Sequence, residues 1–177
     1  MLTERVAIVT GAARGIGKAT ALAFADLGAH VGVCDVLEDE LEETVTEIHD
    51  RGSKAVASVL DVRDSSLVEE FFGKVHEELG PINVLVNNAG GAHGVDRVED
   101  GKDSDWEIMF QSNALGILRV TRAVLPLMKP HPGGMILNIG SIAGRVAYEG
   151  GSAYCASKAA ELSITKALRL ELNGTGL

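Results

Sequence analysis

The sequence predicts an α/β protein in which helices cover both faces of a parallel β-sheet. Short, continuously apolar runs alternate with longer amphipathic stretches along the chain, which is typical of buried parallel strands joined by helices. The first apolar run ends in a glycine-rich turn, as strands do when a helix follows them closely. The composition, with 46% hydrophobic and 23% charged residues in a chain of 177, is that of an ordinary globular domain.

Each apolar run is interpreted as a strand and each amphipathic stretch as a helix, with glycines marking several helix ends. The predicted strands are residues 6–9, 30–35, 55–60, 83–86 and 135–139. The predicted helices are residues 15–27, 38–50, 65–79, 103–128 and 152–172. A long loop, residues 90–102, follows the fourth strand. Because ligands of such sheets bind at the carboxyl ends of the strands, this loop borders the expected site.

Charge and residue usage argue against several kinds of partner. The formal net charge is −9 and no run of Lys or Arg stands out, so we expect neither a nucleic-acid partner nor an anionic membrane surface. Cys34 and Cys155 lack metal-ligand spacing and are expected to be reduced thiols in a cytoplasmic protein. The histidines show no metal-binding spacing either. We expect no signal peptide, no membrane helix and no bound metal.

The glycine-rich turn between the first strand and the first helix predicts a phosphate-binding site. Gly11, Gly15 and Gly17, with Arg14 and Ile16 among them, give the spacing G-x-x-x-G-x-G. Glycines there permit a tight turn and let the backbone approach a diphosphate, while the helix N-terminus offers free N–H groups. The alternative, a closely packed strand–helix connection without a ligand, stays open at this point.

Acidic residues at two strand ends indicate how a nucleotide would be recognised. Asp35 ends the second strand, where a carboxylate can accept a hydrogen bond from a ribose 2′-hydroxyl and repels a 2′-phosphate, which favours NAD over NADP. Arg14 favours NADP instead, but one flexible guanidinium is the weaker indication. Asp61 and Val62, after the third strand, could contact the adenine. For both aspartates, capping of a turn or helix is the alternative.

A tyrosine and a lysine four residues apart, Tyr154 and Lys158, lie on one face of the last predicted helix. The ammonium favours the phenolate and so prepares the phenol as a general acid/base for a reaction at a hydroxyl or carbonyl group. Ser141 lies thirteen residues before the tyrosine, and we consider it part of the same candidate site. Because such pairs are also common on solvated helix faces, this one does not decide the function by itself.

Six short motifs together resemble the short-chain dehydrogenase/reductases, which are NAD(P)-dependent oxidoreductases with a single Rossmann domain. The motifs are Thr10-Gly11-x-x-x-Gly15-x-Gly17, Asp61-Val62, Asn87-Asn88-Ala89-Gly90, Asn113, Ser141 and Tyr154-x-x-x-Lys158. They occur in the family's order, and the resemblance covers essentially the whole chain. It implies a Rossmann-type doubly wound sheet with strand order 3-2-1-4-5, in one dinucleotide-binding domain of residues 1–177 that carries the catalytic residues.

The resemblance further implies hydride transfer between NAD(H) and a small secondary alcohol or ketone. Tyr154 would be the acid/base, and Lys158 would assist it and bind the nicotinamide ribose. Ser141 would hold the substrate oxygen, and Asn113 would position a water that links Lys158 to solvent. Asn88 would contact the cofactor near the adenosine ribose, while Asn87, Ala89 and Gly90 would shape the strand exit, with Ala89 and Gly90 also among the cofactor-binding residues.

The chain departs from the family at its carboxyl end. The family's last two strands and the lobe that closes over the substrate are absent, so we expect weak NAD binding, little turnover and an exposed edge at the fifth strand. Two alternatives stay open: a dinucleotide-binding module with little or no catalysis, and an NADPH-dependent carbonyl or acyl reductase. The family also implies a homodimer or homotetramer formed through helices 103–128 and 152–172.

Overall fold

The order and direction of the strands confirm the predicted architecture. The computed structural model describes residues 2–177, so Met1, which the predicted domain includes, lies outside the described residues. The strands are β1 (Val6–Thr10), β2 (His30–Asp35), β3 (Ala55–Val59), β4 (Ile82–Asn87) and β5 (Met135–Asn138). They form one sheet in the order β3-β2-β1-β4-β5, and each neighbouring pair is parallel. The predicted fold class and strand order are therefore correct.

Helices connect consecutive strands, as parallel pairing requires. The helices are α1 (Gly15–Asp26), α2 (Glu38–Asp50), α3 (Ser65–Leu79), α4 (Asp103–Phe110), α5 (Ile117–Met128) and α6 (Ser152–Glu171). A π-helical segment, Gln111–Gly116, joins α4 to α5, and a 3-10 turn, Ile142–Gly144, precedes α6. Apart from the helix predicted over residues 103–128, the predicted elements agree with these bounds to within one residue at each end.

The single helix predicted over residues 103–128 is wrong, because a wider turn interrupts it. Asn113, in the middle of the π-helical segment, is buried and hydrogen-bonds to groups outside its own helix. Gly116, at the end of the segment, packs so closely on Val62 that a Cβ would lie 2.9 Å from Cγ2 of the valine. Such wide turns often occur at functional sites, and apolar periodicity does not report them.

Both faces of the sheet are buried at its central strands, β1 and β2, and the alternation of side chains along the strands divides the core in two. The first cluster joins the sheet to α3 and α5 and includes Val6, Ile8, Phe71, Phe72, Val124 and Met128. The second joins it to α1 and α2 and includes Val9, Val31, Val33, Ala21, Leu41 and Ile48. Burial on both faces explains why the strands read as continuous apolar runs.

Parallel registration brings the carboxyl ends of the strands to one edge of the sheet. Thr10 of β1 aligns with Cys34 of β2, and Asn87 of β4 aligns with Asn138 of β5. The segments that follow these strands therefore meet above the same edge. β5 pairs with β4 alone within residues 2–177, and its Met135 and Leu137 side chains are not buried there.

Candidate active site

A groove with a volume of about 640 Å³ lies across the carboxyl ends of β1, β2 and β4. It is lined by most of the residues predicted to bind a cofactor, namely Gly11, Arg14, Ile16, Asp35, Asp61, Val62, Asn88, Ala89 and Gly90. Residues that the sequence did not single out also line it, among them Arg63, Ile108 and Ser112. The groove is thus the place where the separate motifs of the cofactor half come together.

The glycine-rich turn is fixed by close packing at two of its glycines. A Cβ on Gly17 would lie 2.0 Å from the carbonyl oxygen of Gly11 and 2.5 Å from Nδ2 of Asn88. Gly11 itself has φ +66° and packs closely against the backbone of Ala89. A Cβ on Gly15, in contrast, would meet nothing within 4 Å, so this part of the turn borders open space. The structure here combines a rigid turn with an accessible backbone.

The N-terminus of α1 carries no compensating negative charge. Arg14, the residue before the helix, makes no side-chain hydrogen bond to the first turn, and that turn contains no acidic residue. The backbone N–H groups and the positive end of the helix dipole are therefore available to an anion. Arg14 and Ile16 both line the groove, so this end of α1 faces the ligand space. The arrangement suits a diphosphate.

Asp35 connects the end of β2 to the glycine-rich turn. Its Oδ2 accepts a hydrogen bond from the N–H of Ala13 at 2.9 Å. Its Oδ1 accepts from the N–H groups of Val36 and Leu37 at 2.7 and 3.2 Å. The carboxylate is thereby held at the groove wall in one orientation. The capping role that the sequence left open is present, and the negative charge still faces the groove.

Asp61 forms an ion pair that the sequence analysis missed. Its Oδ2 accepts from Nε of Arg63 at 2.7 Å, and the second guanidinium nitrogen lies 2.6 Å away. Burial raises the pKa of Asp61, but the hydrogen bonds and charge of Arg63 outweigh that effect and hold the pKa below its ordinary value. In the sequence, the signal for this ion pair was an acidic and a basic residue two positions apart.

Asn88 joins the ends of β1 and β4. Its Nδ2 donates to the carbonyl oxygens of Thr10 and Gly11 at 3.0 and 2.8 Å. Oγ1 of Thr10 in turn accepts from the backbone N–H groups of Asn88 and Ala89, both at 3.0 Å. Both amide hydrogens of Asn88 are thus used within the protein. Its observed contribution is to hold the shape of the groove floor.

Asn113 links three segments around the groove. Its Oδ1 accepts from the backbone N–H of Gly91 at 2.9 Å and from Oγ of Ser112 at 3.3 Å. Its Nδ2 donates to the carbonyl oxygen of Gly91 at 2.9 Å and to Oγ of Ser157 at 3.0 Å. Both hydrogens of the amide nitrogen are therefore bound inside the protein, while the single hydroxyl hydrogen of Ser112 is shared between Oδ1 and the nearer carbonyl oxygen of Ile108, at 2.9 Å. Its neighbour Gly90 has φ +152° and no room for a Cβ, which would lie 2.4 Å from Oδ1.

Tyr154 lies in a small pocket beside the groove. The pocket has a volume of about 20 Å³ and is also lined by Trp106 and His93. His93 lines the main groove as well, so the two spaces are neighbours. The tyrosine side chain is neither fully buried nor directed wholly into solvent. It is placed where a phenol could meet a ligand that extends from the groove.

Lys158 is buried and fixed on the same helix. Its side chain is 10% exposed, and Nζ donates to the carbonyl oxygen of Ile139 at 2.9 Å and to Oε2 of Glu161 at 2.6 Å. Glu161 was not among the predicted site residues. Its position three residues after the lysine, on the same helix face, was the signal that could have found it. The ammonium is held inward, between the carbonyl oxygen of Ile139 and the carboxylate of Glu161.

Ser141 begins the 3-10 turn that packs against α6. Its Oγ accepts a hydrogen bond from the N–H of Ala143 at 3.1 Å. The turn approaches α6 so closely that a Cβ on Gly144 would lie 2.7 Å from the carbonyl oxygen of Lys158. This packing holds the segment of Ser141 against the part of α6 that carries the lysine. The structure thus brings the predicted catalytic segments together.

Two other kinds of chemistry have no support within residues 2–177. No three His, Cys, Asp or Glu side chains lie together in a way that could hold a metal ion. Cys34 lines the groove, but burial and then the charge of Asp35 raise the pKa of its thiol, so it stays neutral.

None of the described helices has the length and apolarity needed to cross a membrane.

Replacing Asn113 by Ala tests the link between the π-helical segment, Gly91 and α6. We expect the free energy of unfolding to fall by about 1–3 kcal/mol, because buried polar groups lose their partners. Denaturant unfolding measures this change, and amide hydrogen exchange at Gly91 should become faster. Asn173→Ala, at an exposed position, is the control. Equal effects of the two changes would contradict the role given to Asn113.

Comparison with known proteins identifies relatives over nearly the whole chain. Residues 5–177 match a family model described as short chain dehydrogenase. The 2,3-dihydro-2,3-dihydroxybenzoate dehydrogenase of Bacillus subtilis is 38% identical over 168 residues, which cover 95% of this chain and 64% of that protein. The NADP-dependent 3-hydroxy acid dehydrogenase of Schizosaccharomyces pombe is 41% identical over 175 residues, 96% of this chain and 66% of that protein.

A solved structure shows the same fold. Carveol dehydrogenase from Mycobacterium avium, crystallised with NAD, superimposes with a TM-score of 0.95 at 27% identity and covers 98% of this chain. The match takes in 68% of the carveol dehydrogenase chain. The chain therefore spans about two thirds of the length of the relatives that it matches. Because the family model matches nearly all of the sequence, this chain belongs to the short chain dehydrogenase family.

Proposed function

We propose that the protein binds a nicotinamide dinucleotide in the groove and transfers hydride between it and a secondary alcohol or ketone. The observation that carries this proposal is the inward, buried position of Lys158 on the helix that also bears Tyr154. A solvated pair would have indicated a structural helix face. The two relatives described above are dehydrogenases by name, and the carveol dehydrogenase crystal contained NAD.

The groove residues fit a dinucleotide in a particular direction. Asp61 and Val62 would hold the adenine end, and Asp35 would accept hydrogen bonds from the adenosine ribose. The N-terminus of α1 and the turn that begins at Gly11 would hold the diphosphate, because Gly15 borders open space and the first turn of α1 contains no acidic residue. Ile16, which is 64% exposed at the groove, would cover the apolar face of the nicotinamide end.

Each catalytic segment then has a task at the reacting end. A bound nicotinamide supplies the site that accepts or donates hydride. The Tyr154 phenol takes the proton from the alcohol oxygen or returns it to the ketone oxygen. Oγ of Ser141 accepts from Ala143, so its own hydrogen can be donated to the substrate oxygen. Lys158 has used two of its three N–H groups, which leaves the third for a ribose hydroxyl.

The role proposed for Asn113 is to hold the relay region in place. Its amide nitrogen donates to Gly91 and Ser157 and has no hydrogen left for a relay water, so we propose that other groups would bind that water. Main-chain carbonyls of the π-helical segment are the candidates, because wide turns loosen the regular hydrogen-bond pattern. The water that links Lys158 to solvent would then be bound by main-chain groups near Asn113 and not by the side-chain amide of Asn113.

Tyr154→Phe is the direct test of the acid/base assignment. We expect NADH to bind with an unchanged dissociation constant, because the phenol hydroxyl contributes little to the nucleotide groove. Oxidation of secondary alcohols should fall by about 10²–10⁴-fold, the usual contribution of a positioned acid/base. NADH fluorescence titration measures the binding, and initial rates over a panel of secondary alcohols measure the turnover.

Tyr148→Phe is the matched control, because it removes the other tyrosine hydroxyl from a half-exposed position. Failure of the parent protein to bind NADH or NADPH would contradict the proposed function. Binding without turnover in the parent would support the alternative of a nucleotide-binding module. Full activity in Tyr154→Phe would contradict the catalytic role of Tyr154. It would not contradict the proposal that the groove binds a nucleotide.

Asp35 is proposed to make NAD the preferred cofactor. Its carboxylate is held at the groove wall by three backbone N–H groups, where it would repel a 2′-phosphate. Arg14, which is exposed beside it, is the observation that favours the NADPH alternative. The choice between the cofactors depends on which of these two charges dominates.

Asp35→Asn removes the charge and keeps one carboxamide oxygen as an acceptor. We expect the ratio of NADH to NADPH affinity to fall by about tenfold, which corresponds to about 1.4 kcal/mol of lost repulsion. Paired fluorescence titrations with the two nucleotides measure this ratio, and Arg14→Ala should shift it in the opposite direction. A parent protein that prefers NADPH would contradict the assignment.

A further inference from the structure

Glu161 is a buried carboxylate that the proposed reaction does not use. It lies on α6, and its side chain is 2% exposed. Its Oε2 accepts the 2.6 Å hydrogen bond from Nζ of Lys158. Burying an ion pair costs solvation energy that such a pair does not always recover, so the pair needs an explanation beyond stability. Its position next to the predicted catalytic lysine offers one.

The surroundings of Glu161 hold it in a defined place. Its other carboxylate oxygen lies close to Gly140 at the end of β5, where a Cβ would be 3.7 Å away. Oγ1 of Thr165 donates to its backbone carbonyl at 2.9 Å and accepts from Nδ2 of Asn138 at 2.8 Å. The ammonium of Lys158 is thus held between the carbonyl oxygen of Ile139 and a carboxylate fixed against β5.

Lys158 is the charged group that faces Glu161. Burial raises the pKa of Glu161 above its ordinary value, and the hydrogen bond and charge of Lys158 oppose this effect only in part. Around Tyr154, the titratable groups from neighbouring segments are His93 and Asp96, which line its pocket, and Asp105 of α4, which approaches the same loop at Gly94. These groups stay unchanged when Glu161 alone is altered.

We propose that Glu161 is a positioning residue that acts through Lys158, holding the ammonium against β5 and offsetting most of its charge toward Tyr154. This inference rests on the proposed function, in which the Tyr154 phenol exchanges the proton. A lysine without a counter-ion would favour the phenolate strongly, whereas a Lys–Glu pair presents little net charge. Removal of Glu161 would therefore leave the ammonium with its full charge on the helix that carries Tyr154.

The chain allows a direct titration of this phenol, because Tyr148 and Tyr154 are its only tyrosines. In a Tyr148→Phe background, the ultraviolet absorbance of tyrosinate reports Tyr154 alone. Glu161→Gln, which keeps the shape and an acceptor oxygen, should lower the titration midpoint by about one pH unit. Glu171→Gln removes the same charge from the exposed end of α6 and should leave the midpoint unchanged.

A second pair of variants protects the test against loss of folding in Glu161→Gln. Lys158→Met leaves the carboxylate without its cation and should raise the midpoint by about one pH unit. Lys158→Met combined with Glu161→Gln contains no buried charge at this place and should return the midpoint close to that of the background protein. This double variant, compared with Lys158→Met, gives the effect of Glu161 again. Circular dichroism confirms that each variant is folded.

The inference is overturned if the midpoint does not fall on removal of Glu161 in either comparison, or if Glu171→Gln lowers it equally. The titration needs neither nucleotide nor substrate, so its result is separate from that of the proposed function. If the midpoint shifts but the protein fails to bind NADH, the role of Glu161 is supported and the proposed dehydrogenase function is rejected. NADH binding with an unshifted midpoint would retain the binding groove and reject the role of Glu161.

Discussion

The contact on which the site depends is the packing of the glycine-rich turn onto the end of β4. Gly17 lies against the carbonyl oxygen of Gly11 and the amide of Asn88 with no space for a side chain. That amide donates to both Thr10 and Gly11, so the ends of two neighbouring strands are tied together. Because the turn is rigid there and open at Gly15, the first N–H groups of α1 face the groove without rearrangement. A larger residue at Gly17 would displace the turn, and with it the surface that we propose binds the diphosphate.

The reacting end is built by a second set of contacts, made on α6. Lys158 turns inward because a backbone carbonyl of β5 and Glu161 both bind its ammonium. The 3-10 turn that begins at Ser141 packs against the same helix, while Asn113 ties it to the π-helical segment through Ser157. The predicted catalytic segments are therefore positioned by buried polar contacts within the protein. If the proposed function holds, substitutions on α6 should change proton transfer separately from nucleotide binding.

The sequence predicted the parallel sheet and nearly all element bounds, because apolar runs indicate buried strands and glycines mark helix ends. The strand order followed from the resemblance to the family. The sequence also identified the groove residues, since motifs at the ends of parallel strands must meet at one edge. It missed the interruption at Asn113, because the wider turn arises from tertiary hydrogen bonds that leave no periodic signal. Arg63 and Glu161 were missed for a related reason: each is an ordinary charged residue until the fold places it beside Asp61 or Lys158.

A crystal structure of the protein grown with NADH would test the central claim, that a nucleotide bound in the groove reaches the Tyr154–Lys158 pair beside it. The predicted result is a nucleotide with its adenine near Asp61, its diphosphate over the N-terminus of α1 and its nicotinamide directed toward Tyr154. A nucleotide bound elsewhere, or one whose nicotinamide points away from α6, would contradict it.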